Sequence, residues 1–254
     1  MSNNRFLRRA GASLIVQKLT AKAIHERQLI KAGDRILLAA SGGKDSTVMA
    51  WALSELKQAL KIDYELEAVH ISGDFDNSFN KPVLAALLKE WNIPFTELSV
   101  PIIGRLKEGR KMNCYWCSTQ RRTELIRYAL EKGFNKIALG HHLDDIIETF
   151  FMNMMNKGTL SVMPIYLSYR KYPLSLIRPL AYLEERQIIT CAEEKDFLKT
   201  TCTCPYGINS CRRHMRERIT AFTGNSGAVK RRILAALSGG AEDLLIDRGG
   251  DETY

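Results

Sequence analysis

The sequence predicts an α/β protein built on a doubly wound parallel sheet. Short apolar runs alternate with segments of helical periodicity through the middle of the chain. This alternation is typical of βαβ units, in which helices cover both faces of a parallel sheet. Two polar, glycine-containing loops, 40–47 and 140–149, each lie where a predicted strand leads into a helix. Because parallel sheets bind ligands beyond the carboxyl ends of their strands, these loops are the predicted functional positions.

The predicted elements follow one another from residue 14 to residue 196. Apolar positions at helical spacing predict a first helix over 14–32. The strands are predicted at 35–40, 66–72, 95–100 and 136–140. The other helices are predicted at 45–60, 82–91, 123–131, 144–156 and 183–196. Residues 159–182 show a less regular pattern.

Composition limits the classes of function. Lys and Arg number 37 against 28 Asp and Glu, which gives a formal net charge of +9 and favours a polyanionic partner. Six cysteines are too few for a secreted disulfide scaffold, and no apolar run approaches the length of a membrane span. Residues 1–25 hold five Lys or Arg and no acid. We interpret them as part of an amphipathic first helix rather than a transit peptide, and expect a cytoplasmic protein without a membrane partner.

The loop Ser41-Gly42-Gly43-Lys44-Asp45-Ser46 has the residues of an anion-binding turn. Its two glycines let backbone N–H groups approach an anion, and the N-terminus of the following helix adds partial positive charge. Lys44 adds a point charge, and the two serines add hydroxyl donors. The loop is not a Walker A motif, because Leu38 and Asp45 stand where that motif needs Gly and Ser or Thr. An acid directly after the lysine suggests a metal ligand.

These six residues match the signature of the PP-loop superfamily of N-type ATP pyrophosphatases. The resemblance implies the adenine nucleotide alpha hydrolase-like (HUP) fold. It also implies that ATP is cleaved between its α and β phosphates, giving an adenylated substrate and pyrophosphate. The catalytic residues that we expect are Lys44, Asp45 and Asp145. The expected nucleotide contacts are Ala39, Ser41, Gly42, Gly43, Lys44, Asp45, Ser46, His70, Gly140 and Asp145.

We divide the chain into four predicted regions. Residues 1–32 are an N-terminal helical extension, and 33–200 are the PP-loop domain. Residues 201–238 are a Cys- and Arg-rich segment that we expect to pack on the active site. Residues 239–254 are Gly-rich and acidic, which is typical of a mobile tail.

The second loop carries two adjacent histidines followed by two adjacent acids. Asp144 and Asp145 would suit the cap of the helix that follows. A zinc site is disfavoured, because adjacent histidines point apart on an extended strand. Beside a phosphate loop, an acid pair is better suited to hold Mg²⁺. We therefore assign Asp45 and Asp145 as magnesium ligands and keep Asp144 as an alternative cap.

A Cys-x-x-Cys pair, Cys114 and Cys117, stands just before a predicted helix. The start of a helix favours the thiolate form, and such a pair serves as a redox dithiol, half of a zinc site or part of an iron–sulfur site. Cys191 lies inside a helical stretch and is expected to be a packed small hydrophobe. A structural zinc site remains an alternative, with four thiolates from Cys114, Cys117, Cys204 and Cys211.

The phosphate loop and the cysteines together resemble the TtcA-like tRNA 2-thiocytidine synthetases, from about residue 24 to residue 218. The matching sequence segments are Gly33–Ile36, the cysteine pair with Arg121-Arg122, Ile137–His142, Asp144-Asp145, Ile177–Tyr182 and a distal cysteine. In that family the pair and one distal cysteine hold a [4Fe–4S] cluster whose fourth iron is left free to carry sulfur. The resemblance implies that the cluster ligands are Cys114, Cys117 and Cys204, with Cys202 as the alternate.

Two departures from that family bear on the substrate. Leu143 stands where the family often has Arg. Cys204-Pro205-Tyr206 resembles a sister branch that thiolates uridine in the T-loop. That branch carries flanking zinc-binding cysteine pairs, whereas here no cysteine precedes Cys114 or follows Cys211. We therefore favour the cytidine branch.

Basic residues group around the cysteines, as in 121–122, 212–216 and 230–232. Such groups fit contacts with RNA phosphates. Tyr115 and Trp116 would suit stacking on a splayed base, although Trp116 would equally suit a core position. The predicted RNA-binding residues are Arg121, Arg122, Arg178, Arg212 and Arg213.

Together these features predict a tRNA sulfurtransferase that adenylates the C2 oxygen of an anticodon-loop cytidine, of the C32 type, and replaces it with cluster-bound sulfur. The expected cofactors are ATP, Mg²⁺ and a [4Fe–4S] cluster. The expected partners are tRNA and a sulfur donor such as a cysteine desulfurase, and a homodimer is left open. The alternatives are thiolation of a tRNA uridine, or lysidine-type amination or ligation with structural zinc. A third alternative is a non-enzymatic, ATP-gated module that binds RNA or senses redox state.

Overall fold

The computed structural model describes residues 11–75, 81–197 and 211–238, which form six strands and eight α-helices. The strands are β1 (Arg35–Ala39), β2 (Glu65–Gly73), β3 (Phe95–Val100), β4 (Lys136–Ala138), β5 (Tyr166–Ser168) and β6 (Ser175–Ile177). The helices are α1 (Ala12–Glu26), α2 (Lys44–Ala59), α3 (Lys81–Glu90), α4 (Cys114–Glu131), α5 (Leu143–Lys157), α6 (Glu185–Glu194), α7 (Cys211–Thr223) and α8 (Gly227–Ser238). Within these ranges, none of the helices combines the length and apolar character that crossing a membrane requires.

The strands form one sheet in the order β3-β2-β1-β4-β6-β5. Every neighbouring pair is parallel except β5 with β6. The chain runs outward from β1 to β3 and then returns to β4 on the other side of β1, which confirms the predicted doubly wound fold. Because Leu37 pairs with Ile137 and Leu38 with Ala138, the carboxyl ends of β1 and β4 lie side by side. This is the switch point where such sheets bind ligands.

Two apolar cores cover the two faces of the sheet, and β1 shows why. Ile36 and Leu38 belong to one core, whereas Leu37 belongs to the other. Successive side chains of a strand point to opposite faces, so a continuous apolar run is buried on both sides. Helix α2 packs on the first core through residues such as Met49 and Leu53, which are fully buried.

Most predicted boundaries lie within two residues of the observed ones, and β3 agrees at both ends. Helix α4 begins at Cys114 instead of residue 123, because Asn113 caps it: its side-chain oxygen accepts a hydrogen bond from the Trp116 N–H at 2.9 Å. The first helix ends at Glu26 instead of residue 32. Two residues later, Gln28 has a φ of 47°, which is not a helical conformation. Residues 159–182 contain the β5–β6 hairpin, which the sequence pattern did not predict.

Among the described residues, one compact unit comprises 11–75, 81–142 and 164–197, and a second comprises 143–163 and 211–238. The first unit contains the whole sheet. The second contains α5, α7 and α8, in which α5 packs against each of the other two. The predicted four-part division of the chain stays a prediction. Its tail, 239–254, and residues 201–210 of its Cys- and Arg-rich segment lie outside the described residues.

Candidate functional site

The loop after β1 is shaped by hydrogen bonds between its own residues. The Ser41 hydroxyl oxygen lies 3.1 Å from that of Ser46. The hydroxyls of Ser46 and Thr47 donate to the Gly43 carbonyl oxygen at 2.9 and 3.1 Å. Gly42 has a φ of 80°, in the left-handed region that favours glycine. The loop therefore ends on the N-terminus of α2, where unpaired N–H groups can bind an anion.

His70 lies beneath this loop. Its side chain is 1% exposed, and its Nδ1 atom lies 2.7 Å from the Ala40 carbonyl oxygen. The Ala40 N–H donates to the Val69 carbonyl oxygen at 2.9 Å. These contacts tie the start of the loop to β2. That His70 also contacts the nucleotide stays a prediction.

Lys44 lies between two carboxylates. Its Nζ atom is 3.0 Å from Glu185 Oε1 and 3.3 Å from Asp45 Oδ1. Burial is the largest single influence and lowers the pKa of Lys44, but the two carboxylates together outweigh it and raise that pKa above its ordinary value. Lys44 is therefore charged at neutral pH. The contribution of Glu185, at the start of α6, was not predicted.

Gly140, after β4, lies against the backbone at the start of α2. A Cβ atom at this position would be 3.1 Å from the Asp45 carbonyl carbon and the Ser46 nitrogen, and 3.2 Å from Ser46 Cα. A side chain here would require that backbone to shift by a few tenths of an ångström, so this close approach favours a glycine. The structure thus brings Gly140 together with the phosphate loop.

The two acids of the second loop lie in the first turn of α5, within the second unit. Asp144 accepts a hydrogen bond from Lys230 Nζ at 2.6 Å, and the two side chains are only 12% and 7% exposed. One turn further along α5, the Glu148 carboxylate accepts a hydrogen bond from Arg216 Nε at 2.6 Å. Lys230 belongs to a basic group predicted to face RNA, but its side chain is buried and pairs with Asp144. Asp145 is 9% exposed.

The residues assigned to magnesium carry suitable donors, since Mg²⁺ prefers carboxylate oxygens. The Asp45 side chain is 31% exposed, at the first turn of α2. It belongs to the first unit, whereas Asp145 belongs to the second. Their joint role as magnesium ligands stays a prediction.

Cys114 and Cys117 occupy the first turn of α4. Cys114 is exposed and Cys117 is half-buried. Residues three apart lie on the same face of a helix, so the two thiols form a donor pair that suits an iron–sulfur cluster or a zinc ion. The other predicted ligands, Cys204 and the alternate Cys202, lie outside the described residues, and the side chain of Cys211 is not described either.

The aromatic pair between these cysteines divides into two roles. Trp116 donates its ring N–H to the Ile102 carbonyl oxygen at 2.9 Å and packs against the second core. It is therefore a core aromatic, the alternative that the sequence left open. Tyr115 is 82% exposed and remains suited to stacking. Cys191 is a packed core residue as predicted: it is fully buried, and burial raises the pKa of its thiol to about 12.

The arginines predicted to bind RNA lie in different surroundings. Arg121 lines a small cavity of about 70 Å³ with Ala39 and Ser41, next to the phosphate loop. Arg122 is exposed. Arg178 is 5% exposed and donates to the Pro164 carbonyl oxygen, so its burial does not support the predicted RNA contact. The side chains of Arg212 and Arg213 are not described.

Comparison with known proteins places these features in a family. A model of the PP-loop domain matches residues 13–199. The tRNA-cytidine(32) 2-sulfurtransferase of Geobacter metallireducens is 35% identical over 232 residues, covering 89% of this chain and 90% of that protein. The enzymes of that name from Geobacter sulfurreducens and Anaeromyxobacter dehalogenans are each 34% identical to this chain, and each alignment covers 91% of it. The alignments cover 92% of the first enzyme and 81% of the second.

Two solved structures share the fold at lower identity. The U34-tRNA thiolase NcsA from Methanococcus maripaludis, solved with its [4Fe–4S] cluster, superposes with a TM-score of 0.71 at 24% identity, over 88% of this chain and 76% of that one. The NMN synthetase from Francisella tularensis gives a TM-score of 0.53 at 15% identity, over 84% and 87% of the two chains.

Proposed function

The chain belongs to the PP-loop family and to the family of tRNA-cytidine(32) 2-sulfurtransferases, and from this premise we propose that it thiolates a cytidine in the anticodon loop of tRNA. The observation that carries the proposal lies along α4. Cys117 stands in the first turn of that helix, and Arg121, one turn later, lines the cavity beside Ser41. One helical turn rises about 5.4 Å, so a single rigid helix links the thiol pair to the phosphate loop.

Adenylation is the first proposed step. The C2 oxygen of the cytidine attacks the α-phosphorus of ATP, and pyrophosphate leaves. The N-terminus of α2 and the charged Lys44 stabilise the negative charge that develops on the departing group. Asp45 and Asp145 would hold magnesium, which when bound neutralises phosphate charge. Because Arg121 lines the cavity beside Ser41, our proposal gives it a contact with the nucleotide rather than with the body of the RNA.

Sulfur transfer is the second step. The thiolates of Cys114 and Cys117, with Cys204 or Cys202, would hold a [4Fe–4S] cluster, which when bound supplies the sulfur that displaces AMP. Cys114 is exposed, so the donor pair is accessible from solvent. The half-buried Trp116 ties the first turn of α4, which carries the two thiols, to the Ile102 carbonyl oxygen.

The test is anaerobic purification followed by a tRNA thiolation assay. We expect a brown protein whose product contains 2-thiocytidine, detected by mass spectrometry of tRNA nucleosides. Cys114→Ala and Cys117→Ala should abolish thiolation while ATP binding persists. Cys191→Ala is the matched control, because Cys191 lies in the core. A colourless, zinc-loaded protein that joins an amine to tRNA would overturn the proposal in favour of the ligation reaction, and 2-thiouridine would move the substrate to uridine.

A further inference from the structure

A groove opens at the edge of the sheet opposite to the phosphate loop, where β1, β4 and β6 begin. Its volume is about 560 Å³. Residues that follow α1 form one wall, and the β5–β6 hairpin forms the other. The floor includes Asp34, Lys136 and Ser175, which lie at or beside the starts of the three strands. All of these residues belong to the first unit.

The groove is positively charged, and its one acid is already engaged. Its lining holds three cations, Arg27, Lys31 and Lys136, against one carboxylate, Asp34, so its formal charge is +2. Lys136 Nζ, only 7% exposed, lies 2.5 Å from Asp34 Oδ2. The Asn135 side chain and the Lys31 backbone N–H donate to the same carboxylate at 2.9 and 2.6 Å. Lys136 thus offsets the charge of Asp34, and the net positive charge of the groove comes from Lys31 and from Arg27, whose Nε donates to the Tyr182 hydroxyl at 2.9 Å.

The hairpin adds half-exposed aromatic rings to these charges. Tyr166 and Tyr172 are 43% and 42% exposed. The Tyr166 hydroxyl lies 2.9 Å from the Ser175 hydroxyl, and the Tyr172 ring contacts the Tyr169 ring edge-on at 6.0 Å between centroids. Rings held in this way beside cations suit nucleic acid, whose bases stack on aromatic faces while its phosphates meet the charges. At the tip of the hairpin, residues 170–171 (Arg-Lys) are exposed as well.

A larger groove on the same edge shows that size alone does not give a groove a net positive charge. It has a volume of about 740 Å³ and lies between the end of α2 and the starts of β2 and β3. Its three cations are balanced by three acids: Arg35, Lys57, Lys61, Asp63, Glu65 and Glu67. Arg35 pairs with Glu65 at 2.7 Å and Lys57 with Asp63 at 3.6 Å. This groove is therefore neutralised internally.

We propose that the smaller groove, with Arg27, Lys31, Tyr166, Tyr172 and the hairpin tip 170–171, binds the backbone and an unpaired nucleotide of the tRNA, away from the reacting base. The inference rests on the proposed function. The five residues of β1 span about 17 Å, so a folded RNA is large enough to contact both edges of the sheet. Phosphate contacts set affinity and register, while the base that reacts lies at the other edge.

The test is tRNA binding by Lys31→Glu/Lys171→Glu, measured by fluorescence anisotropy between 50 and 200 mM salt. We expect tRNA affinity to fall at least about tenfold, and the salt slope to fall by about two, because each lost phosphate contact removes about one unit. The matched control is Lys57→Glu/Lys61→Glu, which makes the same change in net charge in the neutralised groove and should bind as wild type. Tyr172→Ala should weaken binding by at least about fivefold, whereas Tyr172→Phe should not.

The outcomes separate the inference from the proposed function. If the wild-type protein neither binds nor thiolates tRNA, the proposed function fails. If it does both, and the Lys31/Lys171 variant binds like the control, the groove is not an RNA surface. Equal losses in the two charge-reversal variants would point to net charge alone and would also overturn the inference. Circular dichroism confirms that each variant is folded.

Discussion

The phosphate loop and the first turns of α5 both present acidic and basic groups at a helix N-terminus, yet they are constructed differently. The hydroxyl hydrogen bonds that shape the phosphate loop join residues at most five apart, as between Ser41 and Ser46. Asp144 and Glu148 of α5 are instead held by cations 86 and 68 residues away, Lys230 and Arg216. The first arrangement depends on the local backbone, whereas the second exists only when α7 and α8 are packed on α5.

Lys230→Met should give the largest effect, because it removes the ammonium group that pairs with the mostly buried Asp144 carboxylate. Removing one partner of a buried ion pair costs about 3–5 kcal/mol in the free energy of unfolding. Urea unfolding followed by circular dichroism measures this cost. Lys22→Met is the control, because Lys22 and Glu26 form an exposed pair at 3.7 Å and its loss should change stability by less than about 0.5 kcal/mol. Equal midpoints for the two variants would show that the Lys230–Asp144 pair stabilises the fold no more than an exposed pair does.

Asp45→Asn should act on chemistry instead of stability. Its side chain is part-exposed at the start of α2, and Asp45 is proposed to hold the magnesium that neutralises phosphate charge, so its loss should lower the rate by about 10²–10³-fold. The measurement is tRNA-dependent pyrophosphate release at saturating ATP. Asp63→Asn, at a carboxylate that is 93% exposed, is the control and should keep the wild-type rate. A wild-type rate in Asp45→Asn would remove this residue from the catalytic set.

Gly140→Ala tests a close backbone contact between the loop after β4 and the phosphate loop. The added methyl group would press on the backbone of Asp45 and Ser46, and such overpacking costs about 1–3 kcal/mol of stability. We also expect a higher KM for ATP, because the first turn of α2 must shift. Gly43→Ala is the control for stability, since its Cβ atom would meet only the Ser41 hydroxyl at 3.6 Å. Unchanged stability in Gly140→Ala would mean that this contact relaxes without cost.

Glu185→Gln should have the smallest effect. Burial, Asp45 and Glu185 all act on the pKa of Lys44, and the carboxylates raise it. Without the charge of Glu185 that pKa falls, so Lys44 loses its proton at a lower pH on the alkaline side while it stays charged at neutral pH. The alkaline limb of the pH–rate profile should therefore move to lower pH, with little change at pH 7. An unmoved limb would show that Glu185 does not set the charge of Lys44.

The same contrast explains what could be predicted from the sequence. Strand β1 was predictable because five successive residues alternate between two cores, and the phosphate loop because its chemistry is contained in six neighbouring residues. Lys230 and Arg178 carry charges that resemble an exposed basic surface, and only tertiary packing shows that both are buried. The β5–β6 hairpin was missed because its strands are three residues long, too short for a periodic pattern.

In helix α4, the number of residues between Cys117 and Arg121 determines whether their side chains lie on the same face. Cys117 and Arg121 face the same side because four residues make slightly more than one turn, and each residue adds about 100° of rotation. A single inserted or deleted residue between them would turn the thiol pair away from the nucleotide cavity without altering any side chain. The residues between Cys117 and Arg121 are therefore expected to tolerate substitutions far better than insertions or deletions.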